Sequence, residues 1–256
     1  MPFTPTHIAA VVPIALLCRR LPFSALAIGS MIPDLPLFVP FVADYGVTHS
    51  MTGLFTVCLP LGVGAFLLFQ CVIKVPLLSL LPSWIQPWTM SYARPVMQST
   101  VGFFLGLAVA VVFGAATHVA WDSFTHQGRW RTQVLPVLNE NVSIAGRDVP
   151  GYKVIQYGST FVGLPILALL GAGWMTLDKP HPVRGLYPFG MMAKILSLMA
   201  ILVISLLVAG YVLLTADGAA NIVVGRILKI SGLIGMLTMV SYSVAFHFAT
   251  KEKYAW

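Results

Sequence analysis

The sequence predicts an all-α fold, a polytopic membrane bundle of about five spanning helices preceded by a short N-terminal helical hairpin. Three observations predict it. The 256-residue chain is 58% hydrophobic and only 9% charged, whereas a soluble surface needs roughly a quarter of its residues charged. Its apolar residues come in runs of about twenty, the length a helix needs to cross about 30 Å of hydrocarbon. These runs show no alternation, which excludes a barrel, the other fold that pairs every backbone group inside a bilayer. No repeat or low-complexity tract divides the chain, so a single integral membrane domain over residues 1–256 is expected.

Thr6 stands where an N-cap would start a short helix over His7–Cys18, which Arg19-Arg20-Leu21-Pro22 ends. A second short apolar helix, about Ser24–Ile32, ends at Pro33-Asp34. Each is too short to span. Together they predict a hairpin dipping part-way into the membrane, with His7 and Asp34 at one end and the arginines at the other. Four runs of spanning length follow, at about Gly53–Ile73, Gln98–Asp122, Ile155–Leu177 and Lys194–Thr215. A fifth, Asn221–Phe248, carries Arg226 and Lys229 in its first turns. Between the first two, Val75–Pro95 holds Trp84 and Trp88 and reads as an interfacial connector. Residues 127–153 carry Arg129, Arg131, Asn139, Glu140, Asn141, Arg147 and Asp148 and read as a polar loop or small cap.

The start, Met1-Pro-Phe-Thr-Pro-Thr-His7, lacks the basic region of a signal peptide, so His7 is expected to remain in the mature chain. Cys18, Cys58 and Cys71 lie in apolar segments and read as packing residues, not a disulfide framework. The net charge of +7 is scattered, with no basic run beyond Arg19-Arg20, so membrane lipids rather than nucleic acid are the expected partners. If the helices alternate direction, Asp34, Asp44, Asp122, Glu140, Asp148 and Asp217 share one side. Lys74, Arg94, Lys179, Arg184, Lys194, Lys251 and Lys253 take the other. Basic residues mark the cytoplasm, so the acidic side is expected to face outward from a bacterial cytoplasmic membrane.

That side carries the chemistry. His118, Asp122 and His126 are spaced four apart at the polar end of the second span, on one helix face. His7, Asp34 and His49 fall at the same predicted surface, with Asp44 near His49 in sequence. Imidazole and carboxylate are first-row metal ligands, and an ionisable group inside a membrane-length segment is costly enough to imply function. One metal needs three or four such ligands. Six suit two metals about 3.5–4 Å apart with a bridging carboxylate. Each i+4 step advances about 6 Å, so His118 and His126 stand about 12 Å apart along the axis. Asp122 lies between them as a bridge. Alternatively, His118 and Asp122 bind metal while His126 acts from a second layer or on substrate. Each residue alone has a plainer reading: a packed histidine, a turn aspartate after Pro33, a cap at His49-Ser50. His181 and His247 fall on the other side and read as packing residues.

The segments Met1-Pro-Phe-Thr-Pro-Thr-His7, Ala27-Ile-Gly-Ser-Met-Ile-Pro33-Asp34, Thr48-His49-Ser50 and His118-x-x-x-Asp122-Ser-x-Thr-His126 resemble those of a bacterial membrane family of unknown function. That family is similar to the YdjM-like membrane-bound metal-dependent hydrolases. The order His, Asp, His, H-x-x-x-D also resembles the ligand pattern of the zinc-dependent phospholipase C and S1/P1 nuclease superfamily, helical enzymes that hydrolyse phosphoesters with zinc. The family resemblance covers most of the chain, the superfamily resemblance only the ligand pattern of its first half. It implies a metal site at His7, Asp34, His49, His118 and Asp122. This chain departs from the superfamily in two ways. Six residues precede His7, where those enzymes use their free N-terminal amine. The second helical H-x-x-x-E of those enzymes is also missing.

The function expected is a membrane-embedded metal-dependent hydrolase cleaving a phosphoester or related bond in a lipid or lipid-linked substrate. A divalent cation, zinc first and manganese second, one or two ions, would bring the pKa of a bound water to about 7. Asp44 or Asp122 would orient that water. Arg226 and Lys229 are candidates for holding a phosphate, with Gln156 lining the pocket. Arg226 and Lys229 can equally snorkel to the interface. No serine nucleophile motif and no glycine-rich phosphate loop is present. The alternative is a metal-binding structural or transport membrane protein.

Overall fold

The computed structural model describes residues 3–89, 92–178, 180, 191–215 and 220–250. Of the residues used to argue sidedness, Lys179, Arg184, Asp217, Lys251 and Lys253 lie outside the described residues, as do His181 and the side chain of Lys194. A 3-10 turn, Thr4–His7, leads into α1 (Ile8–Leu17), followed by α2 (Phe23–Gly29), a 3-10 turn at Ile32–Asp34, α3 (Leu35–Phe38) and α4 (Tyr45–Thr48). Next comes a continuous apolar helix α5 (Met51–Leu80), containing two π-helical turns, Leu54–Cys58 and Phe69–Ile73. Then follow α6 (Gln86–Thr89), α7 (Val101–Thr125) and α8 (Trp130–Val134). After the β1–β2 hairpin (Asn141–Ile144, Arg147–Pro150) come α9 (Gly151–Leu177), α10 (Met191–Thr215) and α11 (Ala220–Thr250). Five helices are long and apolar enough to cross a membrane. Large apolar side chains stand exposed along them, Phe161, Leu169 and Leu207 among them, which suits a hydrocarbon environment.

The spans begin where local chemistry lets them. Ser50 accepts from the Gly53 amide and starts α5, and Thr100 accepts from the Phe103 amide and starts α7. The chain's start differs from expectation. His7, not Thr6, stands at the N-cap of α1, because Thr6 lies inside a 3-10 turn that starts after Phe3, where Pro5 fits and Thr6 donates back to the Phe3 carbonyl at 2.7 Å. The polar stretch 127–153 is more ordered than a loop. It forms α8, a 3-10 turn and a two-stranded hairpin whose two-residue turn puts Ala145 and Gly146 at positive φ.

The chain divides into two compact units, the first comprising Met1–Pro36, Pro40–Phe66 and Met97–Leu177. In lipid, burying apolar surface against another helix gains little, so helices associate through small residues that allow close packing. The pairing of α2 with α7 works this way. A Cβ on Gly29 would strike the Val111 carbonyl, and one on Gly114 the Leu26 carbonyl. Gly62 of α5 likewise accepts the Val111 side chain. Ile32, Leu54, Cys58 and Ala115 close the core where α5, α7 and the Ile32–Asp34 turn meet.

The second unit comprises Leu37–Val39, Leu67–Val96 and Asp178–Trp256. Here α10 packs along α11, and α11 along the second half of α5. The His247 ring donates to the Val72 carbonyl, which lies in the second π-helical turn, at 2.9 Å. Lys74 donates to Gln70 Oε1 and to the Arg94 carbonyl. Both groups are consumed by structure, which accords with the packing role expected of His247.

Candidate metal centre

Four chain segments of the first unit deliver five side chains to one place. His7 closes the Thr4–His7 turn, Asp34 ends the Ile32–Asp34 turn behind Pro33, His49 follows α4, and His118 and Asp122 are successive turns of α7. His118 Nε2 lies 3.4 Å from Asp122 Oδ2 and 3.5 Å from Asp34 Oδ1. His49 Nε2 lies 3.5 Å from Asp122 Oδ2 and 3.9 Å from Asp34 Oδ1. His7 Nε2 is 3.7 Å from Asp122 Oδ1, and its ring stacks on that of His118 with centroids 3.8 Å apart. The ligand atoms of Asp34, His49, His118 and Asp122 all fall within 4.8 Å of one another.

Hydrogen bonding does not explain these separations. His7 Nε2, Asp34 Oδ1, His49 Nε2, His118 Nε2 and Asp122 Oδ2 are buried and have no hydrogen-bond partner. Buried polar groups in folded proteins are nearly always paired. Four of these exceptions, on Asp34, His49, His118 and Asp122, belong to one cluster with His7 beside it, an arrangement that suits an acceptor of lone pairs. Ligand atoms around one tetrahedral ion with bonds of about 2.0–2.2 Å stand about 3.4 Å apart. The His–Asp pairs run from 3.4 to 3.9 Å, at or above that spacing, and the four ligand atoms all fall within 4.8 Å. The cluster can hold a metal ion.

Surrounding groups prepare the donors. His118 Nδ1 lies 2.7 Å from the Ser30 carbonyl, and His49 Nδ1 3.0 Å from the Tyr45 carbonyl. A carbonyl only accepts, so Nδ1 carries the hydrogen in both rings, and in the neutral ring Nε2 then keeps its lone pair for the cluster. Thr4 donates to Asp34 Oδ2 at 2.7 Å, which leaves Oδ1 for the centre. Burial, then the neighbouring His118, holds the His7 imidazole down at about 4, so it is neutral at pH 7. Burial and then the Asp34 and Asp122 carboxylates push the Tyr45 phenol up, and its ring packs against His49 at 4.0 Å between centroids. Thr4→Val should therefore weaken metal retention about tenfold, measured by competition with a chromophoric chelator. An unchanged affinity would remove Thr4 from the site.

The remaining candidates lie around this centre or apart from it. His126 Nδ1 is 3.4 Å from Asp122 Oδ2 but also 3.3 Å from the Asp122 carbonyl, and its Nε2 accepts from Gln156 Nε2 at 3.2 Å. With both ring nitrogens engaged, His126 buttresses Asp122, and Gln156 buttresses His126. Asp44 Oδ1 accepts from the Gly46 and Val47 amides, which caps α4. Arg226 and Lys229 are exposed on α11 in the second unit. Sequence reasoning missed Thr4, Tyr45 and the Ser30 carbonyl. Tyr45 had a signal, its position one turn before His49. A main-chain carbonyl has none.

The profile of a domain of unknown function, DUF4184, matches residues 1–244, from before His7 to within α11. The chain belongs to this family. No curated protein and no solved structure matches it. A DUF4184 chain brings no assigned activity with it, so its chemistry is read from the cluster.

Proposed function

We propose that this DUF4184 protein is a membrane-embedded metal-dependent hydrolase acting on a phosphoester or related bond in a lipid or lipid-linked substrate. The observation that supports it is the cluster of four buried ligand residues, Asp34, His49, His118 and Asp122, with unpartnered donor atoms and the unpartnered His7 Nε2 beside it. The resemblance of its His, Asp, His and H-x-x-x-D segments to the YdjM-like membrane-bound hydrolases, and to the zinc-dependent phospholipase C superfamily, favours the same reading. The site would face outward from a bacterial cytoplasmic membrane.

One divalent ion, zinc or manganese, suits the cluster, with Asp34, His49, His118 and Asp122 holding it and His7 a fifth donor. When bound, such an ion acidifies water and offsets negative charge on a phosphoryl group. The chain's own residues do the rest. Asp122 directs Oδ2 to His49 and His118 while its other oxygen lies toward His7 and Thr125, where it can take a proton from attacking water. Asp44 acts by position, since the turn it caps carries the carbonyl that orients His49. The Arg129 guanidinium sits 5.7 Å over the Tyr45 ring and so brings a cation beside the cluster for an anionic substrate oxygen. Arg226 and Lys229 would hold a substrate phosphate or lipid head group.

A second reading has its own observation. Asp34, His49, His118 and Asp122 are at most 6% exposed, as in a closed structural site that ties the N-terminal hairpin to α7. Turnover separates the two. The detergent-purified protein should carry metal by elemental mass spectrometry and release product from phospholipid, lipid pyrophosphate or a generic phosphodiester. His118→Ala should lose both properties. Metal without turnover across the panel would leave the structural reading, and a metal-free wild type under metal-replete conditions would end both.

A further inference from the structure

We propose that the groove beside His7 is an alkyl-chain site, which seats one hydrocarbon tail of a membrane lipid with its polar head at the metal centre. This rests on the hydrolase reading only for the fate of the head group.

The groove encloses about 490 Å³ between the start of the chain, α7 and α9. That is the size of an ordinary small-ligand pocket. Ala9, Ala10, Trp121, Ile155, Val162 and Ile166 give it apolar walls. Apart from His7, at the end next to the cluster, its polar members make no demand on an occupant. Thr6 donates to the Phe3 carbonyl, and Ser159 donates to the Ile155 and Gln156 carbonyls of its own helix. Away from His7, whose Nε2 stands at the cluster end, an occupant therefore finds no unsatisfied hydrogen bond on these walls, which favours hydrocarbon along their length.

Two features choose the lipid tail among apolar occupants. The flank of α9 that carries the groove is built for hydrocarbon, with Phe161 78% and Val162 59% exposed on a helix of spanning length. The groove also shares His7 with the cluster. His7 lines it, while its Nε2 is 3.7 Å from Asp122 Oδ1. A chain lying there ends beside two carboxylates and three imidazoles, where a head group can be held. A second copy of this protein would seal the flank but would have no reason to reach His7.

Gly158 supplies a clean test. It lines the groove, and a Cβ there meets nothing within 4 Å, so a large side chain fills the space without disturbing packing. The protein is placed in phosphatidylethanolamine–phosphatidylglycerol vesicles containing a phospholipid with a photoreactive group at the end of its acyl chain. The labelled peptides are then mapped. Label should concentrate on the segments holding Ala9–Ala10 and Gly158–Ile166. Gly158→Phe should lose most of it with metal content unchanged. Gly210→Phe, on α10 where a Cβ also meets nothing, should keep it. Val162→Trp serves as a second filler should Gly158→Phe fail to assemble. Label spread evenly along α9, or unchanged by both fillers, would overturn the proposal. So would cross-linking of the groove to a second copy of the chain. Groove labelling without hydrolysis of any lipid would sink only the hydrolase reading, and hydrolysis with no groove labelling would sink only this one.

Discussion

Adding zinc or manganese to chelator-stripped protein should raise its unfolding temperature by roughly 10 °C. The expectation follows from what an ion would satisfy. The buried, unpartnered atoms of Asp34, His49, His118 and Asp122 lie in one cluster with His7 Nε2 beside it, and an unsatisfied buried polar group costs about 1–3 kcal/mol. An ion at a thousand times its dissociation constant adds about 4 kcal/mol. A chain of this size gains about 2–4 °C per kcal/mol. An ion held there would also link the Thr4–His7 turn, the Ile32–Asp34 turn, the α4–α5 junction and α7, and so tie segments far apart in sequence. Asp122→Asn should abolish the shift, because Asp122 is close to all three of His7, His49 and His118. A scanning fluorimetry series in detergent measures both. Equal unfolding temperatures with and without metal in the wild type would refute the assignment of these residues as ligands.

Gly114→Ala should disable the site from a position that touches no ligand. A single methyl group at Gly114 would strike the Leu26 carbonyl and stand 2.7 Å from the Ser30 amide. These are backbone atoms of α2 and the residue after it, which cannot rotate aside, so the helix itself must shift. Overpacking of this kind costs about 1–3 kcal/mol, occasionally more. The shift would carry the Ser30 carbonyl away from His118 Nδ1, and with it the tautomer that leaves Nε2 free. Metal content should fall together with stability. Gly64→Ala and Gly102→Ala provide the contrast, since a Cβ at either meets nothing within 4 Å. There the better helix former should be neutral or stabilising by up to about 1 kcal/mol. Equal behaviour of all three variants would show that the close approach of α2 to α7 carries no weight.

The fold class was legible because a membrane imposes its constraint on composition. Runs near Gly53, Gln98, Ile155, Lys194 and Asn221 correspond to the five long helices, with ends displaced by a few residues where a cap or turn decided the boundary. Thr100 starts α7 three residues after the hydropathy does, and Pro150 passes the chain directly from the hairpin into α9. The hairpin itself was illegible, since Val142 and Ile144 give too little alternation and the turn Ala145-Gly146 lacks the usual asparagine or aspartate. At the site, ligand chemistry was readable because histidine and aspartate are conspicuous in apolar segments. Helical spacing could not say that the second ring nitrogen of His126 meets Gln156, thirty positions away. Nor could it reveal that Gly29 and Gly114 set the distance between two helices.

The donors are spread along the chain from residue 7 to residue 122, and that spread has a consequence for biogenesis. During synthesis His7, Asp34 and His49 emerge first, and the pocket cannot close until α7 has entered the bilayer and docked beside them. A cation held by these donors would therefore load late in assembly, after the last of the four segments has docked.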